Sequence, residues 1–204
     1  TAVLKPSENA PHTSHLIATL FKKYYPKEII QIFEGDGTVA AKLLEYPFDH
    51  IFFTGGEFIG RKILEAAAKY LTPVTLELGG KSPAIILEGT DLEITSKRLL
   101  WGKGLNAGQT CLAPNHLIVQ ETIKDSLLEQ IKENFNKFYG PNPKQSEDIG
   151  RIVNDSHFNR LTRLIKQAKE KNQIVLGGEF DEERRLITPA IAEVNSPNDP
   201  LLEE

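Results

Sequence analysis

IFFTGGEFIGRKILEAAAKYLTPVTLELGG, residues 51–80, is the stretch of the chain that decides the fold. The apolar run at residues 49–53 predicts a strand that ends at the sequence TGG, apolar residues at helical spacing follow over residues 57–71, and residues 73–78 predict a second strand. Because this spacing favours two parallel strands joined by a right-handed crossover, ligands are expected beyond the carboxyl ends of those strands. The glycine pair at residues 55–56 falls at such an end.

Helices and strands alternate along the rest of the chain as well. The spacing of apolar residues predicts helices at 12–25, 36–45, 91–105, 122–138 and 157–171, and strands at 28–33, 83–87, 116–120, 174–176 and 186–194. The opening run TAVLKP has the composition of the end of a buried strand, and glycines at 79 and 80 break the chain between two strands. The sequence therefore predicts an α/β protein in two parts, residues 1–80 and 81–204.

Composition and charge exclude several classes of function. The chain carries 24 Lys and Arg against 28 Asp and Glu, whereas a surface that binds nucleic acid needs an excess of cations. Its single cysteine cannot form an internal disulfide, so a cytoplasmic setting is expected, and its longest charge-free run is too polar for a membrane span. The five histidines lack the spacing of metal ligands, so no metal is expected.

The only cysteine, Cys111, stands in the glycine-bounded sequence GQTC. Gly108 permits an unusual turn or the close approach of a ligand, and a thiolate is a strong nucleophile when a helix N-terminus or a cation stabilises it. The alternative is that Cys111 is a small buried apolar residue, which is the commoner role of a lone cysteine.

Glu77 is a carboxylate within the apolar stretch PVTLELGG, at the predicted carboxyl end of a strand. A buried carboxylate at such a position is suited to act as a general base near neutral pH. The alternation of side chains along a strand makes a solvent-facing position an equally good interpretation. Cys111 and Glu77 together suit thioester chemistry, but their spacing alone does not bring them into contact.

Two further motifs have the composition of cofactor sites. In residues 53–60, FTGGEFIG, glycines between a strand and a helix would let backbone N–H groups meet a phosphate, although a tight turn without a ligand would use them equally well. In residues 5–8, KPSE, a cation and an acid would suit ribose hydroxyls. The alternative for KPSE is that its last two residues merely cap the next helix.

The order and wording of four motifs resemble the aldehyde dehydrogenase superfamily. These motifs are KPSE at Lys5, FTGGEFIG at Phe53, LELGGKSP at Leu76 and GQTCLAP at Gly108. The wording of QTCLAPNHLIV, and of YGPNP followed by DIGRIVNDSHFNRL, is most similar to the class three branch, which oxidises aromatic and medium-chain to long-chain aliphatic aldehydes. Over essentially the whole chain, the resemblance implies a Rossmann-like parallel-sheet cofactor-binding part followed by an α/β catalytic domain, truncated at both ends.

The resemblance also implies a role for each motif. It implies that Cys111 is the catalytic nucleophile and Glu77 the catalytic base. It also implies that the cofactor is bound by the turn of Gly55, Gly56 and Gly60, which lies beside the phosphates, and by Lys5 and Glu8, which lie near the adenine ribose. The implied reaction oxidises an aldehyde with NAD or NADP through a thiohemiacetal and a thioester, and the backbone N–H of Cys111 helps to hold the oxyanion. The implied partners are the aldehyde and, for the full-length protein, a second copy in a homodimer.

The chain departs from the family pattern in what it contains and in what it lacks. Gly104 stands where the cysteine motif usually has a larger apolar or aromatic residue, which is expected to loosen the helix before the loop. The side-chain amide that completes the oxyanion hole is expected upstream of Thr1, the Glu-Ile/Leu-Phe-Gly-Pro stretch at or beyond Glu204, and the dimer-forming strand further on. Two other functions stay open: a truncated remnant that is non-catalytic or only an esterase, and a scaffold protein of the crystallin type.

Overall fold

The computed structural model describes residues 1–203, so the stretch expected at or beyond Glu204 lies outside the described residues. The chain forms two compact units, Thr1–Leu78 and Gly79–Glu204. Strands alternate with helices in the first unit and in the first part of the second, which confirms the α/β prediction. Within residues 1–203, every helix is too short or too polar to span a lipid bilayer.

Residues 1–78 form four strands and three helices in strict alternation. These elements are β1 Ala2–Leu4, α1 Pro11–Tyr24, β2 Ile30–Ile32, α2 Gly37–Leu43, β3 Ile51–Thr54, α3 Glu57–Ala68 and β4 Val74–Glu77. β1 pairs with β2 and β3 pairs with β4, both in parallel, as expected for strands joined by helical crossovers. The opening strand forms, but Ala2 and Val3 are exposed, so the prediction that it is buried is wrong.

The stretch that decides the fold forms the β3–α3–β4 unit. α3 buries Gly60, Ile63 and Ala67. A Cβ atom on Gly60 would lie 3.0 Å from Leu78 Cδ2 and 3.5 Å from Leu76 Cδ1, so a larger residue here would require the Leu78 side chain to shift by a few tenths of an ångström. Because the parallel strands end in register, the turn before α3 and the end of β4 share one edge of the sheet.

Residues 79–203 contain the remaining α-helices and strands. They are β5 Pro83–Ile86, α4 Leu92–Gly104, β6 His116–Val119, α5 Lys124–Tyr139, α6 Asp155–Glu170, β7 Ile174–Gly177, β8 Phe180–Asp181, β9 Leu186–Ile187 and β10 Ala190–Ala192. β5 and β6 are parallel, whereas β7 pairs with β10 and β8 with β9 in antiparallel fashion.

The strand predicted at residues 186–194 is divided into β9 and β10. Pro189 lacks the N–H that a ladder requires. Its neighbour Thr188 instead bonds to Glu179, donating its N–H over 2.9 Å to the Glu179 carbonyl oxygen and accepting the Glu179 N–H on Oγ1 over 3.0 Å. These contacts, which a hydrophobic pattern does not reveal, turn the chain between the two short strands.

A buried apolar cluster packs α4 and α5 together in the second unit. Its members are Ile86, Leu100, Leu127, Ile131, Phe135, Tyr139, Ile149 and Leu186. Tyr139 also explains Gly104, because a Cβ atom on Gly104 would overlap the Tyr139 hydroxyl. The tyrosine thus occupies the space beside the glycine, and α4 runs to Gly104 without the expected loosening.

Candidate active site

The Cys111 loop, residues 105–115, connects α4 to β6. Asn106 and Ala107 have left-handed backbone conformations with φ of 52° and 53°, and Gly108 follows with φ of 75°. Cys111 is exposed, so its interpretation as a buried apolar residue is wrong. The loop therefore presents its thiol to solvent after three consecutive residues of positive φ.

The segment at residues 79–82 lies against the carbonyl group of Cys111. Ser82 Oγ donates a hydrogen bond to the Cys111 carbonyl oxygen over 3.3 Å, and the Asn115 N–H donates to the Ser82 carbonyl oxygen over 2.9 Å. A Cβ atom on Gly80 would lie 2.9 Å from the Cys111 carbonyl oxygen, which is too close for any residue but glycine without a shift. Sequence reasoning missed these contacts, although the motif LELGGKSP contains both Gly80 and Ser82.

Lys103 lies beside the start of the Cys111 loop. A Cβ atom on Gly108 would lie 3.1 Å from Lys103 Cε and 3.2 Å from the Lys103 carbonyl oxygen. Burial, reinforced by the charge of Lys81, lowers the pKa of Lys103. Lys81 Nζ donates a hydrogen bond to the Leu201 carbonyl oxygen over 3.1 Å.

Glu77 is the last residue of β4, as predicted, and its side chain is exposed. It stands opposite Thr54 in the parallel ladder, and its carbonyl oxygen accepts a hydrogen bond from the Gly55 N–H over 3.0 Å. The structure therefore brings the candidate base and the first glycine of the candidate phosphate turn to the same edge of the β3–β4 sheet.

The glycines Gly55, Gly56 and Gly60 of the candidate phosphate turn have different structural roles. Gly56 is the N-cap of α3, no side chain caps the helix there, and no atom lies within 4 Å of its Cβ position. A Cβ atom on Gly55 would overlap the ring of Phe53, while a Cβ atom on Gly60 would make a tight contact with the Leu78 side chain. Of the three glycines, Gly56 has the open surroundings that an approaching phosphate would need.

Lys5 and Glu8 form an ion pair with 2.6 Å between Lys5 Nζ and a Glu8 carboxylate oxygen. This hydrogen bond from Lys5 lowers the pKa of Glu8. Lys5 Nζ also donates to the Pro6 carbonyl oxygen over 3.1 Å. The alternative role of residues 7 and 8 as helix caps is not observed, because Ala10 is the N-cap of α1 and makes no side-chain capping bond.

Each unit thus assembles part of the predicted site. The first unit joins Glu77 to the glycine turn and Lys5 to Glu8, and the second holds Cys111. Among residues 1–203, no group of three His, Cys, Asp or Glu side chains is arranged to hold a metal ion. The first unit offers a carboxylate and an open helix N-terminus, and the second unit offers an exposed thiol.

Comparison with known proteins decides the family. The whole chain, residues 1–204, matches the model of the aldehyde dehydrogenase family. The chain belongs to the aldehyde dehydrogenase family. Aldehyde dehydrogenase family 3 member H1 of Arabidopsis thaliana is 44% identical over 201 residues, which are 98% of this chain and 41% of that protein. The dimeric NADP-preferring aldehyde dehydrogenase of Mus musculus is 41% identical over 202 residues, which are 99% of this chain and 44% of that protein.

A solved structure of the same family has the same fold. The substrate-bound state of Staphylococcus aureus AldH superimposes with a TM-score of 0.91 at 40% identity, and the match covers 100% of this chain and 44% of that one. These similarities confirm the class three resemblance and the aldehyde dehydrogenase fold. This aldehyde dehydrogenase chain spans less than half the length of the relatives it matches.

Proposed function

We propose that the protein containing this chain oxidises an aldehyde to a carboxylic acid with NAD or NADP, with Cys111 as the nucleophile and Glu77 as the general base. The observation that carries the proposal is the packing of Gly80 against the Cys111 carbonyl group, because Gly80 follows Glu77 by only three residues. The resemblance of LELGGKSP and GQTCLAP to the family motifs supports a role for both side chains at one carbonyl carbon.

The residues of the first unit fit a dinucleotide. At Gly56, α3 begins with N–H groups that no side chain caps, and the open space there suits a phosphate. Lys5 and Glu8 offer a donor and an acceptor for the hydroxyls of the adenine ribose. When bound, the dinucleotide accepts the hydride that leaves the substrate carbon. The NADP preference of the Mus musculus relative supports this cofactor class.

The protein residues carry out the remaining chemistry. The Cys111 thiolate attacks the aldehyde carbon and forms a C–S bond, while the Cys111 backbone N–H stabilises the oxyanion of the thiohemiacetal. Loss of hydride from that carbon leaves a thioester. Glu77 then takes a proton from water, the water oxygen bonds to the thioester carbon, and the C–S bond breaks to release the acid and regenerate the thiolate.

The substrate class, the location and the assembly belong to the same proposal. The class three resemblance favours an aromatic or a medium-chain to long-chain aliphatic aldehyde. The word dimeric in the name of the Mus musculus relative supports a homodimer of the complete protein. The single cysteine of the chain supports a cytoplasmic setting.

The test uses the full-length protein that contains this chain. We expect Glu77→Gln to give a burst of reduced cofactor as the thioester forms and then to stall, because hydrolysis needs the carboxylate. Cys111→Ser should abolish the burst. Glu65→Gln, which changes another exposed glutamate of the first unit, is the matched control. Steady turnover of Glu77→Gln at the wild-type rate would remove Glu77 from the mechanism.

An esterase-only protein of the same fold is the second candidate, favoured by the exposure of Cys111. Acyl transfer from p-nitrophenyl acetate to the thiol releases p-nitrophenol and needs no hydride acceptor. Ester cleavage that depends on Cys111, in a protein that does not oxidise aldehydes, would favour this second candidate. Absence of both activities in the wild-type protein, with no effect of Cys111→Ala, would favour a scaffold.

A further inference from the structure

We propose that Gln109 is a positioning residue that holds the Cys111 loop in the conformation required for nucleophilic attack. The inference rests on the proposed role of Cys111 and adds to it a residue two positions earlier. The partly buried side chain of Gln109 makes three hydrogen bonds to backbone groups on two different segments. It therefore joins the local turn to a distant part of the same unit.

Gln109 first closes the turn that precedes the nucleophile. Its Nε2 donates to the Asn106 carbonyl oxygen over 3.0 Å, and Asn106 Nδ2 donates in return to the Gln109 carbonyl oxygen over 3.2 Å. Asn106 and Ala107 are in the left-handed region, which is sterically unfavourable for residues that carry a Cβ atom. Such a conformation persists only where its surroundings hold it, and these reciprocal bonds do so.

Gln109 then ties the turn to residues 151–153. Its Nε2 donates to the Arg151 carbonyl oxygen over 3.0 Å, and its Oε1 accepts the Val153 N–H over 2.9 Å. Arg185 holds the same segment from the other side, because its carbonyl oxygen accepts the Ile152 N–H over 2.8 Å. The Cys111 loop is thus anchored to a segment that is itself fixed to the turn between β8 and β9.

The pattern of bonds requires an amide. Two carbonyl oxygens receive hydrogens from Nε2, while one N–H donates to Oε1. A carboxylate of the same shape has no hydrogen to donate and would face both carbonyl oxygens with negative charge. Gln109→Glu is therefore a substitution that preserves volume and removes two of the three contacts, and Gln109→Leu removes all three.

The experiment compares Gln109→Glu and Gln109→Leu with wild type in the full-length protein. We expect the single-turnover burst of reduced cofactor to slow by about 10-fold to 100-fold, because a misplaced nucleophile loses its alignment with the carbonyl carbon. Iodoacetamide should still alkylate Cys111, as identified by peptide mass spectrometry, and the KM for the dinucleotide should not change. Gln173→Leu is the matched control, since Gln173 Nε2 bonds over 2.7 Å to Asp199 Oδ2, which lies outside the Cys111 loop.

Each outcome decides the question. A slower burst in the two Gln109 variants, with normal cofactor KM and a normal burst in Gln173→Leu, supports the positioning role. A wild-type burst in Gln109→Glu overturns it, and so does an equal loss in Gln173→Leu or a failure of both Gln109 variants to fold. Full aldehyde oxidation by Cys111→Ser would instead refute the proposed function, whatever the Gln109 variants show.

Discussion

The Gly55 N–H donates a hydrogen bond to the carbonyl oxygen of Glu77 over 3.0 Å. This bond continues the parallel ladder of β3 and β4 by one residue, past the pair formed by Thr54 and Glu77. The candidate phosphate turn and the candidate base are therefore joined through the backbone and not merely placed on neighbouring strands. Because this edge is the carboxyl edge of the β3–β4 pair, it is where ligands of such sheets are expected.

Glu8 is predicted to influence the choice between NAD and NADP. If its carboxylate lies beside the 2′-position of the ribose, Glu8→Gln removes a repulsion of about 1 kcal/mol toward a 2′-phosphate. The ratio of kcat/KM for NADP to that for NAD should then rise by roughly five-fold, since 1.36 kcal/mol is a factor of ten. Steady-state kinetics of the full-length protein with both cofactors measure this ratio. Glu28→Gln, an exposed acid of the same unit, should leave it unchanged.

Gly104 and Tyr139 are predicted to be strongly coupled in stability. Gly104→Ala alone should destabilise the protein, because the new Cβ atom overlaps the tyrosine hydroxyl. In a Tyr139→Phe background, the nearest ring atom Cζ lies 3.5 Å away, so the same change should no longer destabilise the protein. Urea unfolding of the four proteins gives the coupling energy. Additive effects would show that the hydroxyl does not occupy this space.

A buried polar pair between α4 and α5 is predicted to stabilise their packing. Asn134 Nδ2 donates to Ser96 Oγ over 2.6 Å, and both residues are fully buried. Asn134 Oδ1 has no hydrogen-bond partner among residues 1–203, so Ser96→Ala would leave more of the buried amide unpaired, at a cost of about 1–3 kcal/mol. Chemical denaturation measures the cost against Ser126→Ala, an exposed serine of α5. Equal stability of the two variants would contradict the prediction.

Asp199 is predicted to make stability depend on pH in the acid range. The Leu201 N–H, followed by Gln173 Nε2, lowers the pKa of Asp199 in the folded protein. A carboxyl group with a lowered folded pKa contributes stability above its unfolded pKa of about 3.9, and loses that contribution as the pH falls through the folded value. Asp199→Asn should therefore cost more free energy of unfolding at pH 6 than at pH 3. Unfolding curves measured between pH 3 and pH 6 test this prediction, and a cost of Asp199→Asn that does not change with pH would contradict it.

Local patterns predicted most of the fold. Apolar spacing located α1 to α6 and all the longer strands to within a few residues, because burial of one face imposes the period of each element. The same patterns did not separate β9 from β10 or reveal β8. The chain turns between these strands because of a pair of hydrogen bonds between Thr188 and Glu179, which apolar spacing does not indicate. They also left the exposure of Cys111 and Glu77 open, because neither helical nor strand periodicity applies to a loop residue or to the last residue of a strand.

By itself, the sequence determined the α/β class, the order of the elements and, through the wording of four motifs, the family. Only the tertiary structure decided which distant groups meet: Gly80 against the Cys111 carbonyl, the Tyr139 hydroxyl against Gly104, and Gln109 between its own turn and residues 151–153. The physical reason is that the spacing of apolar residues and the local composition indicate only which side chains are buried and which face solvent. Contacts between segments depend on the path of the backbone through loops such as 105–108, where three residues take positive φ and no repeating pattern exists.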